Sequence, residues 1–195
     1  MALVTSESPA RRYTYADLAT FPDDHFRREI IDGELIVNPA PAIRHQIASS
    51  KIHLRLMTYA QRQGGLALAA PTDVFLTDQN VVEPDLLFVR ADHLSRVGEK
   101  YVKGPPDLVV EISSPSARRL ELVHKRELYE RFGVPEYWYV DLDAERVEFY
   151  SIADGIYPAP QLKYPGEMLE SSQLPGLQMP VDEALAGQPP NPTQQ

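Results

Sequence analysis

Apolar residues recur at helical spacing in three parts of the chain, and this pattern predicts three helices. The predicted helices cover residues 15–20, 45–63 and 117–132. Thr14 is a suitable N-cap for the first of them. Gly64 and Gly133 follow the other two, at the position where glycine commonly ends a helix.

Shorter apolar runs between these helices predict β-strands. Two of them, joined by Asp32-Gly33, predict a hairpin over 28–38, because Asp-Gly is a strong hairpin signal. Further strands are predicted over 66–70, 73–76, 85–89, 108–113, 137–141, 146–150 and 156–162. One sheet with a long helix before and after its central strands in sequence predicts an α/β or α+β domain.

Composition narrows the class of protein. The 195 residues are enough for one domain, expected over 13–186, with a flexible N-terminus over 1–12 and a disordered Pro/Gln tail over 187–195. The absence of cysteine excludes disulfides and thiolate metal sites and favours a reducing cytoplasm. No apolar run approaches the roughly 20 residues of a membrane span, and 1–12 lacks a signal-peptide apolar region. We therefore expect a soluble, cytoplasmic protein with no membrane partner.

Net charge bears on nucleic-acid binding. The chain carries a net charge of −9, which argues against a protein that coats nucleic acid through a basic surface. It does not exclude a nuclease whose carboxylates hold metal ions, because bound cations change the local sign of the charge.

A carboxylate interrupts the most apolar predicted strand. By alternation, Asp107, Val109, Glu111 and Ser113 share one face of the strand, and the residues between them share the other. A buried Glu111 is costly unless a cation or a hydrogen-bond donor pairs with it. A buried arginine or a helix end would satisfy it structurally, and a metal ion would satisfy it functionally.

Asp85 and Lys125 are the other candidates for chemistry. Asp85 follows Pro84 at the start of an apolar run, where an ordinary aspartate would lie near solvent. Lys125 falls within the apolar arc of the third helix, which includes Leu128 and Tyr129, when the helix advances about 100° per residue. The lysine therefore points at whatever the helix packs on, which we expect to be the sheet face that holds Glu111.

These three residues together fit metal-dependent hydrolysis. Two carboxylates, Asp85 and Glu111, suit a hard divalent cation such as Mg²⁺ or Mn²⁺. Such a cation polarises a phosphodiester and lowers the pKa of its bound water. Lys125 would orient that water or stabilise the developing charge.

Four segments resemble a known family. They are similar to the Uma family of restriction-endonuclease-like proteins, within the PD-(D/E)xK nuclease superfamily. The four segments are Pro84-Asp85, VEISSPS at 110–116, Lys125 and GVPEYWYVD at 133–141. The similarity runs over about 13–185, nearly the whole chain. The resemblance implies a restriction-endonuclease-like fold, with a mixed central β-sheet flanked by helices and a metal site at one sheet edge.

The resemblance also carries roles onto individual residues. Asp85 matches the motif aspartate and Glu111 the strand carboxylate, whereas Ser113 stands where the superfamily usually has its lysine. The family moves that lysine into the following helix, where Lys125 matches it. GVPEYWYVD itself reads as a structural strand or a dimer contact rather than a base-stacking platform.

Three further residues match the family less firmly. Glu29 matches an additional metal-site glutamate, with a surface residue at the hairpin edge as the alternative. Glu121 replaces the aspartate usual in relatives. His45 stands where relatives often have histidine, and either contacts substrate or caps the long helix; capping is slightly favoured.

Two functions follow from these observations. The first is a metal-dependent endonuclease that hydrolyses DNA. A homodimer would suit this function, since a two-fold pair of sites can cut both strands. The second is a catalytically inactive nucleic-acid- or protein-binding module of the same fold, in which Lys125 and Glu121 only neutralise Glu111. The acidic net charge favours the second.

Overall fold

The computed structural model describes residues 11–22, 24, 26–38, 40–113 and 119–185, with the backbone alone for 119–122. Within these residues the α-helices are α1 (Tyr15–Leu18), α2 (Ile43–Gln63), α3 (Arg119–Arg131) and α4 (Val181–Ala184), and a 3₁₀ helix spans Ala91–Arg96. The strands are β1 (Arg27–Ile31), β2 (Glu34–Asn38), β3 (Leu66–Ala69), β4 (Asp73–Thr77), β5 (Asn80–Val82), β6 (Leu86–Val89), β7 (Tyr101–Lys103), β8 (Leu108–Ile112), β9 (Glu136–Asp141), β10 (Arg146–Ser151), β11 (Gln161–Lys163), β12 (Met168–Glu170) and β13 (Gln178–Pro180).

The central sheet has the strand order β11-β10-β9-β8-β6-β3 and is mixed, because β8 and β9 are parallel while its other neighbours are antiparallel. Its strand β8 is buried on both faces. Val110 packs in the core that includes Ile52 of α2, whereas Val109 packs in the core that includes Leu128 of α3. The two faces of β8 therefore alternate as the sequence predicts.

A second sheet, the side sheet, has the strand order β2-β1-β5-β4-β7. Its apolar residues Ile31, Val74 and Val82 join the same core as Val109 and Leu128. The side sheet and α3 consequently cover the same face of the central sheet. This arrangement brings β1 and α3 next to the carboxylate-bearing face of β8.

Residues 168–185 cover the opposite face. β12 and β13 pair with each other, and Leu169, Met179 and Val181 join the core formed with α2. An ion pair of 2.6 Å between Arg55 and Glu183 ties α4 to α2. The C-terminal part of the described chain thus completes one of the two cores.

Several sequence predictions are confirmed. The hairpin turns at Asp32 and Gly33, whose φ values of 50° and 79° are both positive, as a tight two-residue hairpin turn requires. α2 ends at Gly64, which has a φ of 82°. The mixed α+β architecture with helices flanking a mixed sheet also agrees with the prediction.

Two predictions about the strands are wrong. The strands form two large sheets and a two-stranded pair rather than one sheet among the described residues. The predicted strand over 156–162 is reduced to β11, with Ile156 only in an isolated bridge to Ala153. Pro158 and Pro160 explain this, because neither has the N–H group that a strand ladder needs.

Other predictions concern residues that the structure does not describe. Three of them lie outside the described ranges: the predicted tail over 187–195, most of the predicted N-terminus over 1–12, and the predicted start of α3 at 117. In the part of the chain that is described, the helices are too short or too polar to span a membrane.

Candidate active site

Asp85 lies at the start of β6 and is buried, with 4% of its surface exposed. Its Oδ1 accepts a 2.8 Å hydrogen bond from Arg27 Nη1. Its Oδ2 accepts a 2.8 Å hydrogen bond from the backbone N–H of Ile112 and lies 2.9 Å from His45 Nε2. Burial opposes ionisation of Asp85, but His45, Arg27 and the Ile112 N–H outweigh it and lower the pKa of the carboxyl group. Asp85 is therefore ionised and held by groups from β1, α2 and β8.

Glu111 lies in β8, directly beside the Ile112 N–H that binds Asp85. Its Oε1 accepts hydrogen bonds from Lys125 Nζ at 2.9 Å and from the Tyr129 hydroxyl at 2.6 Å. Burial raises the pKa of Glu111; Lys125 opposes this rise, and the nearby charges of Asp85 and Glu29 add to it. The carboxylates at this site are thus close enough to affect one another's ionisation.

Lys125 joins the two sheets through a shared ammonium group. Its Nζ lies 2.7 Å from Glu29 Oε1 in the side sheet and 2.9 Å from Glu111 Oε1 in the central sheet. Burial alone would lower the pKa of Lys125, but Glu111 and Glu29 raise it above its ordinary value. The lysine is therefore charged although only 6% of its surface is exposed.

Glu29 is completely buried in β1, and its position is set by three donors. Oε1 accepts from the backbone N–H of Glu83 at 2.8 Å in addition to Lys125, and Oε2 accepts from Asn38 Nδ2 at 2.8 Å. A surface position at the hairpin edge, the alternative from the sequence, is wrong.

The structure brings together five of the six residues singled out in the sequence: Glu29, His45, Asp85, Glu111 and Lys125. His45 does not cap α2, because the helix begins at Ile43 and His45 turns inward to Asp85. Asp85 is buried, whereas an isolated aspartate at the start of a strand would be exposed to solvent. The side chain of Glu121 lies outside the description, so its role stays a prediction.

Sequence reasoning missed three residues here: Arg27, Glu83 and Tyr129. Each has a local signal that points to the site. Arg27 alternates with Glu29 on one face of β1, Tyr129 lies one helical turn after Lys125, and Glu83 lies two residues before Asp85.

An open cleft of about 380 Å³ leads to Asp85. Arg27, His45 and Glu83 line it together with Gln46 and Ser49 of α2. Glu83 Oε2 is buried and has no hydrogen-bond partner among the described residues. Burial, followed by the charges of Asp73 and Glu29, raises the pKa of Glu83 to about 7.

The fold is that of a restriction-endonuclease-like protein. The chain belongs to the Uma2 family, described as "Putative restriction endonuclease", whose model matches residues 13–182. Family and fold support a nuclease function in general. Curated protein sequences contain no significant match.

A solved structure has a similar fold. It is a putative nuclease of the DUF820 family from Anabaena variabilis, with a TM-score of 0.74 and 17% sequence identity. The alignment covers 88% of this chain and 97% of that one. At this identity the likeness concerns the fold alone.

Restriction-endonuclease-like nucleases generally use divalent metal ions, so the oxygen ligands of this site can be compared with those that such an ion requires. No group of three or more His, Cys, Asp or Glu side chains within the described ranges is arranged to hold a metal. Mg²⁺ is usually bound by one or two carboxylates plus water and substrate oxygens. Asp85 and Glu111 fit that requirement, as both are ionisable oxygen donors on adjacent strands.

Proposed function

We propose that the protein is a metal-dependent endonuclease that hydrolyses phosphodiester bonds of DNA. The observation that carries this proposal is the convergence of Asp85, Glu111 and Lys125 from β6, β8 and α3, beside a cleft that reaches Asp85. Family membership supports a nucleic-acid substrate, and DNA is the one we propose.

The residues divide the work as follows. Asp85 and Glu111 would hold Mg²⁺ or Mn²⁺, with Glu29 as a candidate third ligand. When bound, such an ion lowers the pKa of a coordinated water and polarises the phosphodiester. Lys125, kept charged by its carboxylate partners, orients the attacking water or stabilises the charge that develops on the phosphate.

Neighbouring residues hold these groups in place. The Tyr129 hydroxyl and Lys125 both donate hydrogen bonds to Oε1 of Glu111, and these two bonds fix the orientation of its carboxylate. His45 and the Ile112 N–H orient Asp85. Fixed carboxylates of this kind lose little entropy when they bind a cation or position a substrate.

We further propose a homodimer in the cytoplasm as the working form, because two sites related by a two-fold axis can cut both strands of a duplex.

Cleavage of single- and double-stranded DNA with Mg²⁺ or Mn²⁺ tests the proposal. Glu111→Gln and Lys125→Ala should each lower the rate by about 10²-fold or more, as loss of an electrostatic catalytic group does. Glu127→Gln, an exposed position on the same helix, is the matched control and should keep the activity. Cleavage that survives both site substitutions would refute the assignment.

Metal binding is tested separately by thermal unfolding. Mn²⁺ should raise the melting temperature of the wild type and not of Asp85→Asn, because a ligand that binds only the folded state stabilises it. A wild type that shows no shift at millimolar Mn²⁺ would count against a metal-dependent reaction.

A second function is favoured by one observation: each carboxylate of Glu29, Asp85 and Glu111 already has a cationic partner within the protein. Lys125 is shared by Glu29 and Glu111, and Arg27 and His45 both contact Asp85. A catalytically inactive nucleic-acid- or protein-binding module would need no more than this. DNA binding without cleavage and without an Mn²⁺ shift would favour the module.

A further inference from the structure

Asp85 has one oxygen that is held rigidly and one that is held by a flexible side chain. Oδ2 contacts a backbone N–H of β8 and the buried His45 of α2. Oδ1 is bonded only to Arg27 among the described residues, through a long side chain that is 22% exposed. A cation that binds Asp85 would therefore compete with Arg27 for Oδ1.

Arg27 is poorly satisfied where it is. Its Nε is buried without a hydrogen-bond partner in the described part of the chain. A guanidinium group has five N–H donors and matches a phosphate in a bidentate fork. In the described structure the guanidinium group of Arg27 makes one hydrogen bond, from Nη1 to Asp85 Oδ1. Arg27 is thus held near Asp85 by charge more than by a complete set of hydrogen bonds.

The cleft offers Arg27 a second position. Arg27 lines it together with the polar side chains Gln46 and Ser49, and the carboxylate of Asp24 at the same cleft is paired with Arg28 at 2.6 Å. The carboxylates of Glu29, Asp85 and Glu111 exceed the charges of Arg27 and Lys125 by one, and the carboxyl group of Glu83 lines the same cleft. A divalent cation would offset this excess negative charge, so the site would no longer repel a phosphodiester.

We propose that Arg27 is a displaceable internal cation: it neutralises Asp85 when no metal is bound and, once a divalent cation takes Oδ1, turns into the cleft and binds a phosphate of the substrate. This inference rests on the proposed nuclease function and assigns Arg27 a substrate-binding role within it. The contribution of Arg27 to nucleic-acid binding is then conditional on the metal.

Calorimetric titration with Mn²⁺ alone tests the first half. Arg27→Gln should bind Mn²⁺ about tenfold more tightly than the wild type, because the ion no longer competes with a charge-assisted hydrogen bond. Arg131→Gln, at an exposed arginine of α3 that pairs with Asp32 outside the cleft, is the matched control and should bind as the wild type does. Arg27→Lys retains a positive charge, should fall between the two, and serves if the glutamine variant fails to fold.

Binding of a short DNA duplex with hydrolysis-resistant phosphorothioate linkages tests the second half. With Mn²⁺ present, Arg27→Gln should reduce the slope of log affinity against log salt by about 0.9, the value for one phosphate contact. Without Mn²⁺ the slope should equal that of the wild type. Arg131→Gln should leave both slopes unchanged.

The outcomes separate this inference from the proposed function. Weaker or equal Mn²⁺ binding by Arg27→Gln, or an unchanged slope with Mn²⁺, overturns the role of Arg27 even if the wild type cuts DNA. Mn²⁺ binding by Arg27→Gln and not by the wild type would show that the ion cannot displace Arg27, and would overturn both this inference and the metal-dependent reaction of the wild type. Absence of Mn²⁺ binding in both proteins overturns both.

Discussion

Replacing Lys125 by methionine should destabilise the fold strongly at neutral pH. Glu29 and Glu111 are 0% and 3% exposed, and their Oε1 atoms lie 2.7 and 2.9 Å from Lys125 Nζ. The change leaves both carboxylates buried without the cation that they share. Breaking a buried ion pair by removing one partner costs about 3 to 5 kcal/mol. For a chain of this length, that corresponds to a melting temperature lower by about 10 °C.

The loss should depend on pH. Burial raises the pKa of Glu111, and Lys125 is the largest influence that opposes the rise, so its removal raises this pKa further. A carboxyl group with a raised pKa in the folded state keeps its proton after the unfolded chain has lost it. Folding is therefore disfavoured progressively as pH rises above about 4.5, and the cost of the substitution should be small below that pH.

Urea unfolding between pH 4 and pH 8, followed by the fluorescence of the buried Trp138, measures both effects. Arg126→Met, on the same helix but half-exposed and 3.8 Å from exposed Glu127, is the control and should change stability by no more than about 0.5 kcal/mol. Adding Glu111→Gln to Lys125→Met should recover part of the loss. A loss that is independent of pH, or smaller than about 1 kcal/mol, would refute the reasoning.

Three further substitutions test other parts of the molecule. Burial raises the pKa of Glu83 to about 7, so the contribution of this group to wild-type stability should fall between pH 4.5 and 7. In urea titrations Glu83→Gln should remove about 1 to 2 kcal/mol of that fall. Identical pH profiles of the two proteins would contradict this. Glu136→Ala removes the carboxylate that accepts hydrogen bonds from Trp138 Nε1 and from the N–H and hydroxyl of Ser172. It should lower the free energy of unfolding by about 3 kcal/mol and shift the tryptophan emission. An unchanged emission spectrum would argue against this role of Glu136. Gly33→Ala forces a side chain into a φ of 79° and should lower stability by about 1 to 2 kcal/mol, measured by thermal unfolding, where a neutral result would show that the turn relaxes.

The parts of the site that follow from local periodicity could be predicted. Alternation along β8 separates Glu111 from Val110, and the helical angle of Lys125 places it with Leu128 on the buried face of α3. Both patterns depend only on residues close together in sequence. Their agreement with the structure explains why the sequence alone is enough to pair Lys125 with Glu111.

The parts that depend on distant partners could not be predicted from local patterns, and Glu29 is a candidate from the sequence only through the family resemblance. Glu29 is buried because α3 packs over β1 and supplies Lys125, a packing that no local pattern in the hairpin indicates. Arg27 likewise pairs with Asp85, 58 residues away in sequence. The split into two sheets depends on β4, β5 and β7, of which two have three residues each, too short for a periodic signal.

The sharing of one ammonium group by two sheets has a consequence for the evolution of this chain. One junction, formed by Glu29, Glu111 and Lys125, joins the side sheet, the central sheet and α3. We therefore expect a substitution at any of the three to damage folding as well as the proposed chemistry. A descendant that had lost its activity would still be selected to retain all three residues. In such proteins the three residues would be retained because the fold needs them. Substitutions that follow the loss of activity would appear first at residues such as Gln46 and Ser49, which line the cleft but take no part in this junction.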